Sequence, residues 1–537
     1  MESVNTSAGQ PSSPDAALRV DKTRVANMDH ADAQLAAEFG YKPVLKREFG
    51  YFSTFSFAVS ISGLFATVMT TMIYPLEAGG SSAVVWCWLI SGIGCMCLAC
   101  SVAELVSALP TAGGLYFTIS RLAPQEWVSS ICWLDGWLNI LGQICGVASS
   151  EYGAAQMLLA AVSMARDFDY EITTGTTVGV MAALTITTGL INSLPTSWIE
   201  KITKFYVIFH VLILVSCSIA LLVKTENKHD ATYVFTHVES TSGWHPLGFS
   251  FLFGFLSVSW CMTDYDASSH LAEEIKSPEL MAPWAISSAM LFTYLAGFLF
   301  NIVLCFCMGD PSAILSSPTQ QPVAQLFYNS LGKVGGIFYT VSALLIIKFV
   351  TWTALQALAR TVFACARDRM LPFSNAWTKI SPLTGTPLNA VWISTFFCIA
   401  INLIALGSYT AISAVFTLCS IALDWSYCIP VLCKLLFGKF KPGPWHMGRL
   451  SPFVNAWACL WTLFVSIIFV LPTARPVTAE NMNYACVFLV FVLLFALVYW
   501  YISGKKFYRG PVSEAVVDDS LSESNSQVKA DKMGTRV

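Results

Sequence analysis

The sequence predicts an all-α polytopic membrane protein with 12 transmembrane helices, two of them broken, and three observations predict it. Of its 537 residues 55% are hydrophobic and 12% are charged, where a soluble globular chain carries about 25% charge. Apolar runs recur at the length of ~20 residues that crosses the hydrocarbon core of a bilayer. Small and acidic residues interrupt the first and sixth of these runs, at depths where a lipid-facing helix cannot leave backbone groups unpaired.

The elements follow in chain order. Residues 1–50 are polar and rich in Ser, Ala, Asp and Pro, with no short apolar region ahead of a small-residue cleavage site, so a cytosolic tail rather than a removed signal peptide is expected. The apolar runs lie at 52–74, 82–108, 129–160, 176–194, 202–223, 246–272, 284–307, 335–359, 388–406, 411–433, 453–471 and 483–502. The remainder, with "DDSLSESNSQ", reads as a solvated cytosolic tail, and both tails offer places for phosphates and for trafficking or ubiquitin adaptors. Outer loops hold only Arg166, Lys224, Lys228, Lys333 and Arg475, Lys348 lies inside a span, and the other lysines and arginines fall in the tails and inner loops. Positive loops stay on the cytoplasmic side, which places both termini there.

Composition also excludes function classes. A net charge of −3 does not suggest a nucleic-acid partner. The 17 cysteines sit mostly inside apolar runs without zinc-type spacing or paired histidines, so they read as small packing residues and not as metal ligands. No nucleophile with a base and no Gly-rich phosphate loop accompanies the one acid pair, Asp264 and Asp266, so no enzyme and no cofactor is expected. No repeated pore loop suggests a channel.

The interruptions carry the functional signal. In "FAVSISGLFATVM" Ser60, Ser62 and Gly63 loosen the first span near its middle; in "WCMTDYDASSHLAEEIKSP" Thr263, Asp264, Tyr265 and Asp266 end the sixth. Small residues also serve helix contacts, and the aspartates also fit the inner water interface. Placed deeper, each carboxylate costs about 2.5–3.5 kcal/mol on insertion scales, a cost usually accepted for function. The two spans are five apart, so a second five-span unit enters from the opposite face, and paired broken helices in corresponding positions point to a secondary transporter's central site.

These segments, with "SVAELVSALPTAGGLYFTISRLAP" from Ser101 to Pro124, resemble the amino acid–polyamine–organocation transporters. "TDYD" and "SSHLAEE" look most like the fungal amino acid/choline permeases, and among them the 4-aminobutyrate (GABA) permeases. The resemblance implies an inverted 5+5 repeat with broken first and sixth helices, spanning 51–223 and 224–436, two additional helices in 437–503, and a cytosolic tail at 504–537. It implies alternating access by a symporter in a fungal membrane, the plasma membrane before the vacuolar one.

By that resemblance Ser60, Ile61, Ser62 and Gly63 offer backbone N–H groups to a solute carboxylate, Trp260 forms an aromatic gate, and residues 261–266 are the unwound part of the sixth helix. Many relatives have small residues near Thr263 and Asp264, where this chain has acids. Asp266 or Asp264 suits the distant ammonium of an unbranched solute such as 4-aminobutyrate, with Tyr265 and Trp260 able to contact the cation. Choline or thiamine favours the same residues, and a non-transporting nutrient sensor keeps the same fold. Lys204 resembles the lysine that proton-linked relatives place where others bind sodium, and His210 is a second candidate for proton coupling. Glu273 and Glu274 are expected at the inner gate, with Lys276, Arg367 or Arg369 as partners. Glu104, Asp135 and Glu151 are further acids in spans, and Lys348 and Asp424 would offset each other's cost if they faced. The expected partners are a small amine-bearing solute, protons and the lipid bilayer.

Overall fold

The computed structural model describes residues 49–511 apart from 112, 273, 408–410, 439 and 480; side chains are described for all of these except 196, 197, 199–201, 203, 204 and 411. Nearly all of the two expected tails, and Glu273, therefore lie outside the described residues.

The described chain is helical, and its strand pairing is confined to one parallel bridge between Phe49 and Ile275. Among the described residues eleven helices are long and apolar enough to cross a membrane, and Leu247–Cys261 is a shorter apolar helix at the place of the sixth span. The order runs Tyr51–Ser62 with Leu64–Thr71, Ile73–Ala108, Gln125–Ala165, Thr174–Asn192, Thr196–Lys224, the sixth span, Pro278–Cys307, Pro322–Arg367, Leu388–Asn402, Ala411–Phe437, Ser451–Phe469 and Ala485–Tyr499. Several exceed their apolar cores. The eighth begins at Pro322, well before the expected 335, and turns at Gly332, where φ is 73°.

Burial sorts the spans by role. The most apolar window of the first span is 89% buried within the protein and that of the twelfth only 11%. A buried helix can shape a site, whereas an exposed one faces lipid. The third span packs along the eighth and the tenth, and the seventh lies along the second.

The first span breaks at one residue. Gly63 takes φ 49° and ψ 36°, and a Cβ there would sit 2.1 Å from Val350 Cγ2 on the eighth span. Only glycine meets both the backbone sign and the close approach. The sixth span is helical over Leu247–Phe251 and Phe255–Cys261 around a 3₁₀ turn, unwinds from Met262, and resumes only as the single turn Ala267–His270. Within the break Asp264 has φ 59°, a conformation costing a non-glycine residue about 1–3 kcal/mol.

The broken halves meet pairwise. Leu64–Thr71 packs against Phe255–Cys261, and Tyr51–Ser62 packs against Ala267–His270. Thr71 Oγ1 lies 2.8 Å from Ser257 Oγ and 3.3 Å from Cys261 Sγ. Both breaks therefore lie between like halves, buried by protein rather than exposed to lipid.

Candidate functional site

The first-span turn gives fewer free donors than expected at Ser60, Ile61, Ser62 and Gly63. Gly63 N–H is already donated to Val59 O, so the helix closes up to the glycine. Ser60 Oγ donates to Phe57 O at 2.7 Å and to Thr353 Oγ1 at 3.2 Å, and Ser62 Oγ to Ala58 O at 3.5 Å. Ile61 is buried apolar surface. In the next turn Phe65 gives its N–H to a side chain, His210 Nε2, at 3.1 Å. That bond fixes His210 as a neutral ring with a lone pair on Nε2 and its proton on Nδ1, which has no partner among the described residues. His210 thus caps the second half of the first span. The Lys204 side chain lies outside the described residues.

The sixth-span acids divide by environment. Asp266 is fully buried and enclosed: Tyr427 Oη donates to its Oδ1 at 2.5 Å, Asn139 Nδ2 to its Oδ2 at 3.2 Å, and His270 Nε2 lies 3.2 Å from the same Oδ2. Asp264, 7% exposed, has its Oδ1 buried without a partner among the described residues, as are Thr263 Oγ1 and Tyr265 Oη in the same unwound stretch. Gln356, on the eighth span against which both inner halves pack, has neither amide atom partnered. Buried polar groups are normally paired, so a set of orphans calls for an occupant.

Aromatic side chains pack together on the predicted outer side of the breaks. Trp260 donates its indole N–H to Ser149 Oγ at 3.0 Å and packs at a tilt, with ring centroids 4.9 Å apart, against Phe416, which Tyr74 meets at 5.9 Å. Above it opens a cavity of about 130 Å³ lined by Tyr74, Glu77, Ser242 and Phe253 among others.

The predicted inner side is shut by polar contacts. Phe49 N–H donates to Glu274 O and Lys276 N–H to Phe49 O, both at 3.0 Å. Glu274 Oε1 meets Arg360 Nε at 3.3 Å with both side chains buried. Glu274 is thus met by Arg360 on the eighth span, a cation beyond the expected Lys276, Arg367 and Arg369. Tyr116 Oη donates to Asp368 Oδ2 at 2.5 Å nearby.

Each buried basic side chain of the described spans is engaged. Lys348 Nζ lies 2.7 Å from both carboxylate oxygens of Glu151, and Lys434 Nζ 2.7 Å from Glu104 Oε2. The Lys348 partner is thus Glu151 and not Asp424, since that face of the eighth span turns toward the third and fourth. Asp135, Asp264 and Asp424 are buried with no lysine or arginine partner among the described residues, and Asp266 is met by His270. Their surplus negative charge in a low dielectric requires protons or a cationic solute.

Apolar helical spans with two facing helix breaks beside a buried acid cluster fit a membrane transporter. The chain belongs to the amino acid permease family, whose model matches residues 49–493. It is 57% identical to an amino-acid permease of Schizosaccharomyces pombe over 88% of each chain. It is 48% identical to amino-acid permease 2 of Neurospora crassa over 95% of this chain and 94% of that protein. Amino-acid permease BAT1 of Arabidopsis thaliana is 30% identical over 92% of this chain and 98% of that protein.

Asn139, Gln143, His270 and Tyr427 were not picked out from sequence as site residues. Two signals pointed to them: Asn139 and Gln143 are one helical turn apart within an apolar span, and His270 follows Asp266 by four.

Proposed function

We propose that this permease imports a small amino acid bearing an ammonium remote from its carboxylate, 4-aminobutyrate first, by proton symport with alternating access. The observation that carries the reading is Asp264: its Oδ1 is buried and unpartnered at the sixth-helix break, while Lys348, Arg360 and Lys434 each serve another carboxylate. An ammonium at Asp264 satisfies that oxygen and offsets part of the surplus charge. Asp266, the alternative cation site, has both oxygens engaged by side chains.

The solute carboxylate is assigned to the turn around Gly63, beside the capped start of Leu64–Thr71, where the half-helix dipole favours an anion. Trp260 and Tyr265 close over the solute. Two inverted repeats, 51–223 and 224–436, rock about this site, helices 11 and 12 in 437–503 flank them, and Glu274 with Arg360 forms the inner gate. Lys204 is the coupling residue that the family resemblance supplies, and the plasma membrane with both termini cytosolic is the assigned address.

Uptake of labelled 4-aminobutyrate, choline and thiamine in cells lacking their own carriers tests the reading. Uptake of 4-aminobutyrate driven by an inward proton gradient is expected. Uptake of choline alone would replace the amino acid by an organic cation, which the acid surplus also suits. No uptake of any, with normal delivery to the membrane, would favour a sensor.

A further inference from the structure

We propose that Asp266 and His270 form a proton site of the carrier, with a single proton shared between Asp266 Oδ2 and His270 Nε2. The inference rests on the reading of this permease as proton-driven and assigns to that drive a site apart from Lys204.

The hydrogen-bond directions, with the amide groups oriented as they stand, favour a proton on Oδ2. Asn139 Nδ2 donates to Asp266 Oδ2 at 3.2 Å and to Ser426 Oγ at 3.1 Å, which leaves its Oδ1 to accept from Gln143 Nε2 at 2.9 Å. The same Gln143 nitrogen lies 3.2 Å from His270 Nε2. A ring nitrogen either donates or accepts. With a proton on Nε2, two donors face each other across that contact. With a lone pair on Nε2 and an ionised Asp266, two lone pairs face each other at 3.2 Å. The contacts among Asp266, Asn139, Gln143 and Nε2 are compatible when Oδ2 carries the proton and donates it to Nε2 while Gln143 shares the acceptor.

Among the described residues no lysine or arginine is bonded to Asp266. On the third span Asp135 interacts with Asp266 electrostatically, and neither of its oxygens has a partner among the described residues. Asp264 interacts with Asp266 in the same way from two residues away. The tenth span contributes Tyr427, already a donor to Oδ1, and Asp424. The eighth contributes Arg360, held by Glu274. The helix Gly114–Leu122 brings Gly114 so close that a Cβ there would lie 2.7 Å from His270 Cε1, and its Tyr116 hydroxyl goes to Asp368. The first-span half bears only the exposed Tyr51, and the seventh span starts with Glu279. Acids this close titrate as a set, and a proton on one member relieves the repulsion of all.

The site also reports on the moving element. Asp266 O accepts from the Ser269 N–H and hydroxyl, both at 2.6 Å, so the residue starts the single inner turn of the sixth helix. Displacing that turn separates Asp266 from Asn139 and Tyr427 on the third and tenth spans. On release the Oδ2–H bond breaks, its electron pair stays on Asp266, the proton bonds to His270 Nε2, and the resulting imidazolium passes it to water once the inner end opens. Gln143 is a positioning residue, because its donor keeps Nε2 an acceptor.

Infrared difference spectra of the purified full-length protein in lipid nanodiscs, taken across a pH titration, test the site without knowledge of the solute. A carbonyl band of a hydrogen-bonded carboxylic acid is expected in the wild type, lost in Asp266→Asn and shifted in frequency in His270→Gln. Gln143→Leu removes the opposing donor, so ionised Asp266 beside an Nε2–H ring becomes acceptable and the band disappears at lower pH than in the wild type. An Asp266→Asn difference spectrum identical to the wild type, or a Gln143→Leu titration that does not move, overturns the proposal. Proton-driven accumulation of a labelled amino-acid mixture containing 4-aminobutyrate, measured in proteoliposomes of the same preparations, separates the two claims. A wild type that transports without a proton gradient defeats the symport reading, whereas the infrared titration alone decides where the proton sits.

Discussion

Lys348 sets its ammonium 2.7 Å from both carboxylate oxygens of Glu151, with side-chain exposures of 9% and 0%. Thr188 Oγ1 accepts from the same ammonium at 2.7 Å and donates to Glu151 Oε1 at 2.5 Å, so three spans close around one ion pair. Removing one partner of a buried pair costs about 3–5 kcal/mol, whereas replacing both by apolar groups is often neutral. Glu151→Gln or Lys348→Met should therefore lower the thermal unfolding midpoint of the purified protein sharply, and Glu151→Leu combined with Lys348→Met should recover most of the loss. Melting curves of the three variants check this.

Gly63 should tolerate no side chain. Gly63→Ala meets Val350 Cγ2 and a left-handed backbone at once, and the backbone alone costs about 1–2 kcal/mol. Transport per molecule at the membrane should fall at least severalfold, with partial recovery when Val350→Ala is added. Uptake normalised to surface protein reads the outcome, and full activity of Gly63→Ala would remove the need for the break.

His210 should matter as an acceptor. His210→Leu leaves the Phe65 N–H without its 3.1 Å partner, and an unpaired buried donor costs about 1–3 kcal/mol. His210→Gln, which offers an oxygen, should keep more activity than His210→Leu. Equal losses in both, measured as solute affinity and as stability, would contradict the capping role.

The folded-back segment after the sixth span should govern inner opening. Glu274→Gln breaks the 3.3 Å contact with Arg360 and should speed exchange from the inner face relative to uptake. A loss of about 1.4 kcal/mol in the closed state corresponds to a tenfold shift between conformations. Counterflow from preloaded vesicles measures it, and exchanging the two charges, Glu274→Arg with Arg360→Glu, should restore the wild-type balance.

The sequence carried some of these features and hid others, for physical reasons. Both helix breaks were legible because the residues that cause them, Gly63 and the Thr263 to Asp266 run, stand out against apolar neighbours. Hydropathy missed the first turns of the eighth span, since Gly332 separates a less apolar stretch from the membrane core. Lys348 found Glu151 rather than Asp424, and Glu274 found Arg360, because a partner depends on how helix faces are rotated, which spacing along one chain does not encode. The same limit left Asp266 and Asp264 equivalent in sequence, although Tyr427, Asn139 and His270 enclose the first and leave an oxygen of the second open.

Asp264 as the seat of the solute ammonium is the claim on which the transport account turns, and the affinity of full-length Asp264→Asn for the labelled amino acid that the wild type carries tests it most directly. Losing a buried charge partner costs about 2–5 kcal/mol, so the account predicts affinity weakened about thirtyfold or more while the protein still reaches the membrane. An Asp264→Asn protein that binds and concentrates the solute as the wild type does would contradict it.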